Sequence, residues 1–422
     1  MSELESIDGP PRRAVLVIFL IVMIDLMGFG IIIPLLPFYV HAPQDRPFQV
    51  TMLFSVYSIF QFIGAPILGL LSDRFGRKPI LVLSQLGSAI GYVLLGLATQ
   101  VHWHSETTLL TLVYLSRIID GFTGGNISTA QAYISDVTTH ENRAGGMAAL
   151  GAAFGIGFSI GPFIGGVLGA IHVSIPAYVA AGFSATAAVL TILWLTESRR
   201  HKPAELEVWL HPRQFAPILR RPVLVQLLMI SFFLMAAFVM MESTIGLYLN
   251  KLFSWEARGV GWYFAFNGVI IVIVQGGLVR RLVKKMGDWP LAYGGQLLVA
   301  VGMALYTGTA WIPALTLLLI AGAVNAAGRS FQQPTISSLI SKFSDPREQG
   351  VTFGVYQGLG SLARVAGPIV AGAVYPLLRN TGAFAVSAII AALVGLWTLA
   401  LRRPAPHAAA PEAMAEAAIE HG

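Results

Sequence analysis

GAAFGIGFSIGPFIGGVLG, residues 151–169, carries no charge and places glycine at nearly every fourth position. Gly151, Gly155, Gly157, Gly161, Gly165 and Gly169 form overlapping small-x-x-x-small pairs, which let helix backbones approach closely inside a membrane. Pro162 removes a hydrogen-bond donor within the run, an interruption that a membrane helix tolerates when packed on neighbours. About 206 residues later the chain repeats the pattern as LGSLARVAGPIVAGAVY (359–375), with Gly367, Pro368 and Gly372 where Gly161, Pro162 and Gly166 predict them. One helix type occurring once in each half predicts a protein of two similar halves.

Composition agrees with a membrane setting. Of 422 residues, 55% are hydrophobic and 11% charged, with a mean hydropathy of +0.70. Soluble domains carry roughly 25% charged residues, so a large soluble protein is excluded. The isoelectric point near 9.6 does not indicate nucleic-acid binding, because the basic residues fall in short loops between apolar runs, as on a cytoplasmic membrane face. The chain has no cysteine, hence no disulfide framework. Its start, MSELESIDGPPRR, lacks a small-residue cleavage site and reads as no cleaved signal peptide.

Apolar runs long enough to span, about 20 residues, fall near 14–40, 50–72, 79–99, 108–133, 147–170 and 176–196. They resume near 222–250, 258–279, 289–310, 312–340, 350–376 and 381–401. The expectation is an all-α membrane protein of twelve transmembrane helices in two pseudo-symmetric six-helix lobes, 14–196 and 222–401. A cytoplasmic N-terminus (1–13), a charged linker (197–221) with a short surface helix near Glu205–Leu210, and a mobile tail (402–422) complete it. With both termini assigned to one side, that side holds 20 of the 27 Lys and Arg, the other side 4, and the spans 3. This bias predicts cytoplasmic termini.

The loop GLLSDRFGRKP (69–79), the doubled Gly-Pro helix and the six-plus-six layout resemble the major facilitator superfamily over about 14–401. Within it the chain is similar to drug:proton antiporters, and IDLMGFGIIIPLLPFYV (24–40) resembles tetracycline-type exporters. The resemblance implies a gating role for Gly69, Asp73, Arg74, Gly76 and Arg77, with Asp136 and Arg143 of the next loop completing a charge relay. Asp73 is then expected to meet the cytoplasmic end of the eleventh span in the outward-facing state. It also implies that the fifth span, through Gly157, Gly161, Pro162, Gly165 and Gly166, is the exporter's motif-bearing helix. The corresponding loop of the second half, GGLVRRLVKKMGD (276–288), has Arg at the Asp place, so the lock is expected to be one-sided. A solvated, purely topological charge cluster is the alternative.

Six ionisable residues lie inside the runs: Asp25, Arg117, Asp120, Glu242, Arg329 and Arg364. Each costs roughly 2.5–3.5 kcal/mol at a helix centre, so they should face a cavity or one another. Arg117 and Asp120 stand three apart and can pair on one helical face, which suits an ionised structural acid. Asp25 has no base in its own helix, with Gly28 and Gly30 beside it, so a low-dielectric setting favours its neutral, proton-carrying form. The resemblance agrees in implying a coupling acid in the first span and a basic residue in the fourth, Arg117. The alternative is a buried Asp25 satisfied by Arg117. Glu242 stands toward the outer end of its span and Arg364 beside the repeated motif. Arg329 lies among Asn325, Gln332 and Gln333, a polar cluster for a binding cavity. Tyr57, Gln61, Phe154, Phe158, Asn267, Gln275, Tyr356 and Gln357 are further candidates for an amphipathic pocket, although aromatic residues at helical spacing are more often packing.

None of the nine histidines falls well inside a run, and neither metal-ligand spacing nor a phosphate loop occurs. Asn126-Ile-Ser128 matches a glycosylation pattern but lies in a span. No enzyme constellation is present. The reading is proton-coupled export of amphipathic small molecules, with protons as coupling ion, no cofactor, and a monomer in the bacterial cytoplasmic membrane. Tetracycline itself is disfavoured, since related exporters carry an acid in the third span where this chain has Gly91, before Tyr92. A facilitator or importer on the same fold, and a transport-dead sensor, are the rival readings.

Overall fold

The computed structural model describes residues 11–40, 44–101, 105–138, 140–198, 216–345 and 349–401. Residues 1–10, most of the linker and the tail after 401 lie outside the described residues, as do the side chains of Arg143, Phe154 and Phe158. Every apolar run of the sequence is helical. The first half holds α1 (Pro11–Ile32), α2 (Pro47–Phe75), α3 (Arg77–Gln100), α4 (Glu106–Thr123), α5 (Ile127–Val137), α6 (His140–Gly169) and α7 (Ile175–Trp194). After the one-turn α8 (Ala216–Leu219) come α9 (Pro222–Phe253), α10 (Ala257–Ile273), α11 (Val279–Met286) and α12 (Asp288–Gly308). The chain continues with α13 (Leu315–Phe343), α14 (Gln349–Val374), the turn α15 (Leu377–Asn380) and α16 (Gly382–Ala400).

Among the described residues, 8 helical stretches are long and apolar enough to cross a membrane. The remaining long apolar runs, on α4–α5, α6, α13 and α14, include those that carry Arg117, Asp120, Arg329 and Arg364. The outward faces are apolar as well: on α3, Leu83, Leu86, Ile90, Val93 and Leu97 recur every three to four residues and are all exposed. In water that stripe would be polar; in lipid it is the solvated face.

Three runs break where the backbone chemistry requires it. α1 ends in a 3-10 segment, Ile33–Tyr39, containing Pro34 and Pro37. Gly124–Asn126 separates α4 from α5 as a 3-10 turn, and the Gln61 side-chain amide donates to the Gly124 carbonyl freed there, at 3.1 Å. A π-helical turn, Val274–Leu278, joins α10 to α11 around Gly276 and Gly277.

The glycines of α6 do what their spacing predicts. A Cβ on Gly161 would meet the Gly30 backbone at 2.8 Å, and one on Gly157 would meet Leu26 at 2.8 Å, so α6 lies directly on α1. Gly166 faces Gly261 of α10 just as closely. The repeat packs in the same way: Gly367 of α14 lies against Ala236 of α9, while Gly372 lies against Phe48 and Thr51 of α2. Each motif helix therefore touches the first helix of its own half and the second of the other.

One end of the bundle, where residues 11 and 401 lie, is here called the near end. At the far end a single core joins residues of both halves, among them Leu35, Leu53, Ile245 and Val260. Toward the near end the core divides. One cluster draws only on residues of the first half, from Ile18 to Leu195, and another only on the second, from Ile218 to Leu401. The halves are thus welded at the far end and separate at the near end.

Candidate functional site

Between the halves lies a cavity of about 320 Å³, within the range of small-molecule sites. All six intramembrane charges line it: Asp25, Arg117, Asp120, Glu242, Arg329 and Arg364. The insertion cost of these residues is thereby met as the sequence requires, by a cavity rather than by lipid.

On the first-half wall, Asp25 projects from the middle of α1. Its Oδ2 accepts a bond from Asn126 Nδ2 and its Oδ1 one from Ser184 Oγ, both at 3.0 Å. These neutral donors hold the carboxyl in place without cancelling a charge. Arg117 instead pairs with Asp120, Nη1 to Oδ2 at 3.1 Å, and both are almost wholly buried. The guanidinium also lies 5.6 Å from the Tyr92 ring centre. Asp25 is therefore not satisfied by Arg117; that base belongs to Asp120. Asn126 sits at the α4–α5 break and reaches α1 from there. Its glycosylation-like pattern gave no hint of this structural use, and Ser184 carried no signal at all.

The second-half wall is built on α9, α13 and α14. Glu242 lies one helical turn beyond Phe238 on the same face of α9. The Arg329 guanidinium from α13 sits 3.0 Å from the Phe238 ring centre. Arg364 from α14 lines the cavity together with Glu242. No salt bridge closes among these three side chains. Glu242 is thus a cavity residue rather than one reaching water at the far end.

Between the walls the surface is aromatic and amide-rich. Phe29 stacks on Tyr57 with centroids 4.8 Å apart, and Gln61 Nε2 donates to Tyr57 Oη at 3.1 Å. Tyr263 and Tyr306 share a hydroxyl hydrogen bond, and Asn267 Nδ2 donates to the Tyr263 carbonyl at 2.9 Å. Asn325, Gln275 and Gln333 also line the cavity.

Three expected cavity residues do not line it. Gln332 shares the face of Gly328 that packs on Gly295 of α12, one helical step away from the face of Arg329 and Gln333. Gln357 is exposed, two turns toward the near end from Arg364, where the halves have already parted. Tyr356, on the neighbouring face, is not a lining residue either.

At the near end the charged loop forms a network within the first half. Gly76 has φ +105°, which a side chain would strain, and turns the chain from α2 into α3. Arg77, 6% exposed, pairs with Asp73 at 2.8 Å and with Asp136 at 3.0 Å, and donates to Ser72 Oγ at 2.7 Å. Arg74 lies 5.3 Å from the Phe75 ring centre, and Gly69 faces Ser128 of α5. Glu197, which the sequence reading did not single out, accepts the Arg77 and Lys78 backbone N–H groups at 2.9 and 3.0 Å. It thereby caps α3, whose own N-cap glycine has no side chain to do so. In the second half, Gly287 (φ +81°) precedes Asp288, which binds Lys342 and Ser338 of α13. The ion pair recurs at the matching place with its polarity reversed.

The Major Facilitator Superfamily model matches residues 18–317 and 294–421. The class C tetracycline resistance protein of Escherichia coli is 29% identical over 407 residues, 93% of this chain and 98% of that protein. Major facilitator superfamily domain-containing protein 10 of Mus musculus is 26% identical, covering 93% of this chain and 94% of that protein. Among solved structures, the human organic anion transporter MFSD10 aligns with a TM-score of 0.69 at 24% identity, over 93% of this chain and all of that one. With the family match spanning both halves and a charged cavity held between them, the chain belongs to the Major Facilitator Superfamily of membrane transporters.

Proposed function

We propose that the protein is a proton-coupled exporter of amphipathic small molecules, with twelve spanning helices in two six-helix lobes that work by alternating access. Asp25 carries the reading: an acid inside the cavity, held by Asn126 and Ser184 and paired with no base, is free to exchange its proton against a substrate charge. Arg117 and Asp120 set the local field beside it. Facing out, Asp25 takes up a proton and the substrate leaves; facing in, the proton departs and the cavity reloads. The drive is about 2.3 kcal/mol per charge per 100 mV, with about 1.4 kcal/mol for each pH unit.

The Lys and Arg bias makes the near end cytoplasmic, so the split near-end core corresponds to an inward-facing state of a bacterial inner-membrane protein acting as a monomer. Gly69, Asp73, Arg74, Gly76, Arg77, Asp136 and Arg143 form the cytoplasmic lock, with Asp73 meeting the near end of α14 when the halves close. The α6 residues Gly157, Gly161, Pro162, Gly165 and Gly166 form the pivot seam. The names of the relatives, tetracycline resistance proteins and an organic anion transporter, support transport of small organic molecules.

Everted membrane vesicles test the reading. Respiring vesicles should accumulate a fluorescent amphipathic drug, and nigericin should discharge it within seconds. Uptake that merely equilibrates across the membrane, the same with and without respiration, would instead identify a facilitator.

A further inference from the structure

The two walls of the cavity carry opposite uncompensated charge. On the first-half wall two acids, Asp25 and Asp120, face one base, Arg117, and that base is committed to Asp120. On the second-half wall two bases, Arg329 and Arg364, face one acid, Glu242. No ion pair crosses from wall to wall among the described residues. The lone acid of the first wall and the surplus guanidinium of the second therefore line one cavity, together with the aromatic side chains of Phe29, Tyr57, Phe238 and Phe264.

We propose that the substrate is a dipolar amphiphile. Such a molecule has a basic amine at one end of a flat apolar body and an acidic group at the other, and it lies across the cavity. Its amine meets Asp25 and its acid meets Arg364 and Arg329. This rests on the antiport reading above, and chemistry favours it over either single charge. A cation alone would leave the guanidinium in excess of Glu242 without a counter-charge. An anion alone would satisfy the guanidinium groups but give Asp25 no reason to release a proton, since a neighbouring negative charge holds a proton on. With both ends present, the amine displaces the proton from Asp25 while the acid anchors the molecule on the other half. One ligand then ties the two halves together, which links occupancy to closure. Asp120, Arg117, Tyr57 and Tyr92 are the other titratable groups around Asp25, and Asp120 is already paired.

The test uses three charge forms of one scaffold on purified, full-length protein. Ciprofloxacin has an amine and a carboxylate at opposite ends of a rigid aromatic body; its methyl ester keeps only the amine, and its N-acetyl derivative only the acid. A second fluoroquinolone with a free piperazine and an aromatic dipeptide, each with the same two derivatives, widen the panel. The account expects at least one dipolar form to bind about tenfold tighter than both of its derivatives, the loss of one charged hydrogen-bonded contact. Ester binding should still release protons and N-acetyl binding should not. Arg364→Gln should bring the dipolar form down to the ester's affinity and change the ester far less, while Arg364→Lys keeps part of the preference. Equal affinity of the three forms on every scaffold, no binding by any dipolar form, or an equal loss for ester and dipolar form in Arg364→Gln would overturn the proposal. A dipolar preference without proton release would leave this site standing and remove the antiport reading instead.

Discussion

At the scale of single residues, the cavity separates an acid that is paired from one that is not. Arg117 and Asp120 neutralise each other at 3.1 Å within a nearly inaccessible site, so removing one leaves a buried charge without its partner. Arg117→Gln should therefore destabilise the protein by about 3–5 kcal/mol, read as a lowered melting temperature in detergent. Arg117→Gln combined with Asp120→Asn should recover most of that loss; a double variant as weak as the single one would show that the pair does more than satisfy itself. All six charges were legible in the sequence, because a charge in an apolar run stands out. The groups that hold Asp25 were not. Asn126 and Ser184 are ordinary neutral residues, 101 and 159 positions away in the chain, and only folding brings them to α1. Gln332 and Gln357 failed as cavity residues for a related reason: polarity marks a residue as notable, but the helical phase and the divergence of the halves decide where it points.

At the scale of elements, the motif helices behave as hinges whose glycines differ along their length. Toward the far end, Gly161 and Gly166 leave no room for a side chain. Toward the near end, Gly155 of α6, Gly276 and Gly277 beside α11, and Gly354 and Gly358 of α14 would meet nothing within 4 Å. In the alternating-access reading, closure of the near end brings α14 against the other half. Gly354→Leu should then leave folding and ligand binding intact but stop transport, and normal flux in that variant would show that the near end closes elsewhere. The cap from Glu197 onto α3 gives a separate check: Glu197→Ala should cost about 1 kcal/mol of stability, detectable by thermal unfolding. The Gly-Pro repeat was readable because spacing survives in sequence. The reversed ion pair Asp288–Lys342 was not, since the second-half loop keeps the geometry of the first while exchanging the signs of the charges.

At the scale of the whole molecule, the structure has a shared far-end core and divided near-end cores among the described residues, and the proposed alternating access requires a second packing in which the far end opens. Gln44 of the first half donates to the Leu247 carbonyl and to Asn250 Oδ1 of the second, at 2.9 and 3.0 Å, across the welded end. The chain has no native cysteine, so an introduced pair reports without background. Gln44→Cys with Asn250→Cys should cross-link readily in the absence of a proton gradient and block flux, with recovery on reduction. Cross-linking without loss of flux would mean that the far end need not open.

The central claim is that Asp25 exchanges a proton for substrate, and proton release on ligand addition measures it most directly. Purified protein in weak buffer, titrated with amphipathic drugs while pH is followed, should release protons in proportion to ligand bound. Asp25→Asn, with ligand raised until the site is occupied, should release none. Release of equal size from the variant would contradict the account and transfer the coupling to another acid of the cavity, Asp120 or Glu242.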